Sequence, residues 1–220
     1  MIDRLYLISG MGADDMIFRN LVFDGIATTF IPWQKVSNDE TLSDYVRRLS
    51  AVIDQNEDFG ICGVSLGGIA AQEMTRFVDP KLLILISTIK SHDELPPVLR
   101  VAANARLQHI FPEQFYKWAA MRSGAVIGLQ DEHDKTLFQK MLDQYGDDYY
   151  KWCINAVAEW RGVHHDVPYL HLHGDQDVVF PAAHISNAII IQGGNHFMVV
   201  NRAEEISRRI KSFLAEYNAS

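Results

Sequence analysis

The chain opens with a short apolar run, Leu5-Tyr6-Leu7-Ile8, closed by Ser9-Gly10-Met11-Gly12. Similar runs recur at Ala27 to Ile31, Phe59 to Val64, Leu82 to Ile86, Tyr169 to His173 and Ala188 to Ile191. They are too short for helices, and the central ones are continuous rather than alternating. Strands covered on both faces read this way. Between them the apolar positions recur every three or four residues. Thr41 to Asp54 carries Leu42, Tyr45, Val46, Leu49, Val52 and Ile53 on one face. Asp14 to Val22, Leu66 to Phe77 and Ala203 to Tyr217 read as further helices. Strand and helix in alternation predict an α/β fold, with a mostly parallel sheet of about six strands flanked by helices.

One stretch breaks the alternation. From 91 to 166 there are helical patterns at Pro96 to Gln108, Glu113 to Met121, Asp131 to Tyr145 and Asp147 to Trp160, and no convincing strand. The stretch is rich in aromatics, among them Phe111, Phe115, Tyr116, Trp118, Phe138, Tyr149 and Trp152. It is too long for a plain crossover helix. The expected organisation is a core of 1–90 and 167–220, with 91–166 inserted as a helical cap. Such a cap would lie over the carboxyl ends of the strands, where ligands bind in open α/β sheets.

Composition narrows the function. At 220 residues and 48% apolar, the chain is long enough for a sizeable core. A net charge of -8 argues against a nucleic-acid partner, which would need a basic face. The start, Met1-Ile2-Asp3-Arg4, lacks the plan of a signal peptide, and no apolar stretch is long enough to span a bilayer. A cytoplasmic protein with no membrane partner is expected. Cys62 and Cys153 form no disulfide or metal spacing, and Cys62 reads as a small buried hydrophobe.

Three motifs carry chemistry. Gly63-Val64-Ser65-Leu66-Gly67, followed by Gly68, sits directly between a strand and a helix. A serine hydroxyl is a poor nucleophile unless held exposed beside a base. A sharp strand-to-helix turn provides the exposure, and flanking glycines relieve its crowding. Leu172-His173-Gly174-Asp175-Gln176-Asp177 follows a late strand and offers a carboxylate that could orient a histidine. Asp175, nearer the strand end, suits bracing the turn. Asp177 lies further into the loop and is the preferred partner. Gly193-Gly194-Asn195-His196-Phe197 follows the last strand and supplies a histidine on a flexible loop.

The order Ser65, Asp177, His196, each at a strand end, resembles the α/β-hydrolase superfamily over nearly the whole chain. The likeness is to its small bacterial members with a helical cap. The resemblance implies a triad of Ser65 as nucleophile, His196 as base and Asp177 as acid. It also implies an oxyanion hole from the backbone N–H groups of Met11 and Leu66. Family members commonly have His-Gly after the first strand, where this chain has Ser9-Gly10-Met11-Gly12. The departure does not remove a backbone donor. The two N-terminal strands of full-length members have no counterpart here, which fits about six strands.

The remaining polar clusters have plainer readings. His171 and His173 alternate on a strand and share a face, with too few companions for a metal site. His164-His165-Asp166 reads as a hinge or surface loop, and Asp14-Asp15 as a helix start. No metal is expected, and no nucleotide-binding pattern implies a cofactor. The expected chemistry is acyl transfer from a small ester with an apolar part to water. A thioester, a carbon–carbon bond beside a carbonyl, or lyase and perhydrolase chemistry could use the same residues. A ligand receptor on a hydrolase scaffold is the reading from another class. The sequence leaves the oligomeric state open.

Overall fold

The computed structural model describes residues 2–23, 25–37, 39–106, 110–112, 114–116, 118 and 132–219. Six strands form one sheet: β1 (Arg4–Ile8), β2 (Ala27–Phe30), β3 (Phe59–Val64), β4 (Leu82–Ile86), β5 (Tyr169–Gly174) and β6 (Ile189–Ile191). Their spatial order is β2-β1-β3-β4-β5-β6, and every neighbouring pair is parallel. The predicted α/β class and strand count therefore hold. The central strands β3 and β4 are buried at every position, which explains their unbroken apolar runs. The edge strands β2 and β6 are partly exposed, and β2 carries Thr28 and Thr29 accordingly.

The helices are α1 (Leu42–Ser50), α2 (Leu66–Met74), α3 (Pro97–Asn104), α4 (Glu132–Leu142), α5 (Asp147–Glu159), α6 (Met198–Asn201) and α7 (Ala203–Ala219). Thr41 caps α1, its hydroxyl oxygen accepting the Asp44 N–H. Tyr45, Val46 and Leu49 form its buried face. The helix ends at Ser50, short of the expected Asp54, where a turn closed by Ile53 N–H to Ser50 carbonyl takes over. The expected helix at Asp14 to Val22 is a single 3-10 turn, Asp15–Phe18, capped by Asp14 through the Met16 N–H. Asp14 thus starts a helical turn, as its sequence context suggested. The pattern at Glu113 to Met121 falls largely outside the described residues.

One contact fixes where the elements sit. Every residue of α2 is buried, and its first turn presses on the end of β1. A Cβ at Gly67 would run into the Ile8 and Ser9 carbonyls, and one at Gly63 into the backbone of Gly67 and Gly68. Only glycine admits this approach. The sequence order reverses between β1 and β3, which flank one another while β2 lies on the far side of β1. Loops leaving the carboxyl ends of β1 and β3 therefore diverge and leave a crevice, the usual binding position in such sheets.

Buried Cys62 sits in this core, where burial pushes its thiol up to about 12, so it behaves as a hydrophobe. Among the described residues, no helix is long and apolar enough to cross a membrane.

Gly67→Ala should destabilise the protein by at least about 2 kcal/mol, because the obstacle is backbone and cannot rotate away. Urea unfolding followed by circular dichroism measures this, and an unchanged midpoint would remove the packing argument.

Candidate active site

Ser65 occupies the turn between β3 and α2 with φ 54° and ψ -119°, a conformation that L-residues rarely adopt. The turn is held from several sides. Ser65 N–H donates to the Ile86 carbonyl at 2.9 Å. Its carbonyl accepts from Gly68 N–H at 2.9 Å and from the Thr88 hydroxyl at 2.7 Å. These bonds over-determine the strained residue and fix the direction of its Cα–Cβ bond.

That side chain meets His196. Ser65 Oγ lies 3.0 Å from His196 Nε2, and His196 Nδ1 lies 2.8 Å from Asp177 Oδ2. A carboxylate only accepts, so Nδ1 carries the hydrogen and Nε2 is free to accept from the hydroxyl. The structure thus brings together the three residues singled out from three distant motifs. Asp177 is fully buried in its side chain, and His196 is 12% exposed. Burial alone would raise the Asp177 pKa. Attraction to His196, with hydrogen bonds from His196 and the Phe180 N–H, outweighs it and holds the carboxyl below its ordinary range.

The two aspartates separate cleanly. Asp177 Oδ1 accepts from Val179 N–H and Phe180 N–H, both at 2.9 Å, leaving Oδ2 for the histidine. Asp175 Oδ1 instead accepts from Gly193 N–H at 2.7 Å, tying the loop after β5 to the loop after β6. Gly193 has φ 67°, and a Cβ at Gly174 would meet the Gly194 backbone, so glycines let these loops close on one another.

The turn after β1 lies against the serine. A Cβ on Gly10 would stand 3.4 Å from Ser65 Cβ. The turn is clamped by Trp33 Nε1–H donating to the Gly10 carbonyl at 3.0 Å, and by Gly12 N–H donating to Tyr149 Oη at 3.2 Å. Ala13 N–H also returns to the Gly10 carbonyl. Among the described residues, no acceptor takes the N–H of Met11 or of Leu66. Sequence reading missed Thr88, Trp33 and Tyr149. Nothing in the sequence places an α5 tyrosine beside residue 12, because the contact spans 137 positions.

An aromatic pair stands nearby. Phe138 on α4 meets Phe197 edge-on with ring centroids 5.9 Å apart, one residue beyond His196. A cleft of about 810 Å³ lies elsewhere, between the start of α1 and α5, lined by Thr41, Glu73, Arg76 and Asn155 among others. Ser65, Asp177 and His196 do not line it, so its size does not bear on their chemistry. Among the described residues, no group of three or more His, Cys, Asp or Glu could hold a metal ion.

Sheet order, glycine-flanked turn and Ser–His–Asp contacts together define the α/β-hydrolase fold. Solved structures share it. MenH from S. aureus is 17% identical with a TM-score of 0.71, covering 98% of this chain and 94% of that one. A carboxylesterase from Nitrososphaera gargenis is 17% identical with a TM-score of 0.72, over 98% and 91% of the two chains. A thermophilic esterase from Thermogutta terrifontis is 17% identical with a TM-score of 0.68, over 97% and 90%. No protein-family model and no curated protein matches the sequence. At these identities the likeness establishes the fold.

The buried histidines on β5 make stability depend on pH. Burial lowers the pKa of His173, and burial together with the Lys90 charge pushes His171 down to about 3. An unfolded histidine takes up a proton near pH 6.5, so the unfolded chain binds more protons from there downward. Stability is then complete well above pH 6.5 and falls as the pH drops, for His171 all the way toward pH 3, by up to about 1.4 kcal/mol per pH unit. Urea midpoints measured between pH 7 and pH 5 should fall on that slope, and His171→Gln should flatten it. A pH-independent midpoint would contradict the neutral burial of these rings.

Proposed function

We propose that the protein is a serine hydrolase that cleaves a small ester with an apolar part through an acyl-enzyme. The observation that carries this reading is the hydrogen-bonded run from Ser65 Oγ through His196 to buried Asp177. His196 takes the Ser65 proton as the hydroxyl oxygen attacks the carbonyl carbon. Asp177 holds the ring in the required tautomer and stabilises the imidazolium that forms. The Met11 and Leu66 N–H groups receive the developing oxyanion, with Leu66 at the N-terminus of α2 adding the favourable end of the helix dipole. His196 then passes its proton to the leaving alcohol. Water attacks the acyl-enzyme by the same steps in reverse, regenerating the serine.

In this reading the segment 91–166 is a cap, and its helices supply the apolar side of the substrate site. Support comes from contacts that join it to the core beside Ser65. Tyr149 Oη accepts from Gly12 N–H, Gln144 Nε2 donates to Asp14, and Phe138 packs on Phe197. A lining of this kind favours an apolar acyl or alcohol group over a charged one. The solved neighbours include proteins described as esterases and carboxylesterases, which agrees with the proposed chemistry.

A fluorophosphonate traps a serine only when a base activates it. The wild type should gain one adduct by intact mass, and Ser65→Ala and His196→Ala none. Ser65→Ala should also cost about three orders of magnitude or more in kcat on p-nitrophenyl butyrate. A folded wild type left unlabelled by this reagent and by a smaller one would reject the hydrolase and leave a ligand-binding protein. The aspartates give a second test. Asp177→Asn should lower kcat by about two to four orders of magnitude, whereas Asp175→Asn should cost about tenfold at most. Equal losses at the two positions would refute the assignment of Asp177.

A further inference from the structure

Strand β5 carries histidines at alternate positions on one face, and the catalytic reading uses neither. The rings of His171 and His173 meet edge-on with centroids 5.7 Å apart, and both residues are buried. Their tautomers follow from their partners. His171 Nε2 lies 3.1 Å from the Thr88 carbonyl, which only accepts, so this nitrogen carries the hydrogen. Its Nδ1 then accepts from Lys90 Nζ at 3.1 Å. The Lys90 ammonium also donates to Glu94 Oε1 at 2.9 Å and to the Ser186 carbonyl at 2.5 Å, so all three of its hydrogens are placed. His173 Nε2 lies 2.7 Å from the Phe180 carbonyl and must donate there.

The two acceptors lead to the reacting groups. Thr88, held at its carbonyl by His171, donates its hydroxyl to the Ser65 carbonyl at 2.7 Å. Phe180, held at its carbonyl by His173, donates its N–H to Asp177 Oδ1 at 2.9 Å. His173 Nε2 is itself 3.5 Å from Asp177 Oδ2. We propose that His171 and His173 are positioning residues, one fixing the Ser65 turn through Thr88 and the other fixing the Asp177 carboxylate through Phe180. The inference rests on Ser65 and Asp177 being catalytic.

A purely structural role explains His173 poorly. Among the described residues, His173 Nδ1 is buried without a partner. An orphaned polar atom of this kind is costly, and apolar side chains of similar size would avoid it. Stability alone would favour leucine or phenylalanine here. What an apolar residue cannot supply is an N–H aimed at the Thr88 or Phe180 carbonyl. Uncharged rings also suit the place. The charged groups packed around them are Lys90 and Glu94 beyond β4 and Asp177 on the loop after β5, with the His196 ring on the loop after β6. A second imidazolium beside Asp177 would compete with His196 for its charge.

The test compares His171→Leu, His173→Leu, His171→Gln and His173→Gln with the wild type. Glutamine keeps an N–H that can donate to a carbonyl, whereas leucine does not. Each leucine variant should lower kcat on p-nitrophenyl butyrate on the order of 10- to 100-fold, from misplacement of the reacting groups. KM should stay within about threefold, and each glutamine variant should recover most of the loss. Leucine variants that keep wild-type kcat and change only the melting temperature would overturn the proposal. So would glutamine variants that fold but recover nothing.

A second readout needs no turnover. The proton between His196 Nδ1 and Asp177 should resonate far downfield in the proton NMR spectrum, and His173→Leu should shift or broaden it. His171→Leu should move the backbone amide resonances of Ser65 and Leu66. If a leucine variant fails to fold, the corresponding alanine variant, which also lacks the ring N–H, is read by the same spectra. Failure of the wild type to hydrolyse or label would refute the hydrolase reading. Spectra unchanged in the variants that lack the N–H would refute the positioning role separately.

Discussion

The close approach of α2 to the end of β1 is the constraint on which the rest depends. It exists because Gly63 and Gly67 present no Cβ where backbone already lies. Once α2 is seated, the chain must turn from strand to helix within one residue, and Ser65 takes the strain with φ 54°. Such a conformation costs on the order of 1–3 kcal/mol and persists only when the surroundings over-determine it. The surroundings here are Ile86, Gly68 and Thr88, all bonded to the Ser65 backbone. The Ser65 side chain thereby leaves the turn on the side of His196, with its hydroxyl 3.0 Å from Nε2.

The same logic governs the charge. Asp177 is buried, and an isolated carboxylate there would be costly. Four contacts answer the cost: two N–H donors on Oδ1, His196 on Oδ2, and His173 at a longer distance. Burial makes the pairing with His196 strong, and the backbone donors keep the carboxyl ionised so that the pairing can occur. Stability and the proposed chemistry thus draw on one arrangement. Asp175, one turn nearer the strand, meets neither condition. It faces the Gly193 N–H, and its work is to keep two glycine-rich loops together so that His196 arrives at the right place.

Local patterns carried most of this into the sequence. The strands were legible because burial on both faces leaves no room for polar residues, as at Leu82 to Ile86. Ser65, Asp177 and His196 were legible because each follows a strand and the sheet brings strand ends together. Helix ends were less so. Val52 and Ile53 continue the apolar face of α1, yet the helix stops at Ser50, since a turn buries Ile53 equally well and leaves Val52 exposed. The contacts of Trp33, Thr88 and Tyr149 were not legible at all. A tryptophan bonding to residue 10, or a tyrosine receiving residue 12, has no local signature, because the partner is chosen by the fold.

Those illegible contacts explain how a short, glycine-rich turn is held in one place. Gly10-Met11-Gly12 has little stiffness of its own, since glycine leaves the backbone free. Trp33 fixes the peptide before Met11 by its carbonyl, and Tyr149 fixes the one after it by its N–H. The Met11 N–H, which shares its peptide with the Gly10 carbonyl, has no acceptor among the described residues while that peptide and the next are pinned. Tyr149 belongs to α5, stacks on Tyr145 with ring centroids 4.3 Å apart, and touches Trp33 edge-on. One side of the clamp therefore comes from the helical segment and the other from the core. In the proposed mechanism a shift of α5 would loosen the oxyanion donor as well as the substrate wall.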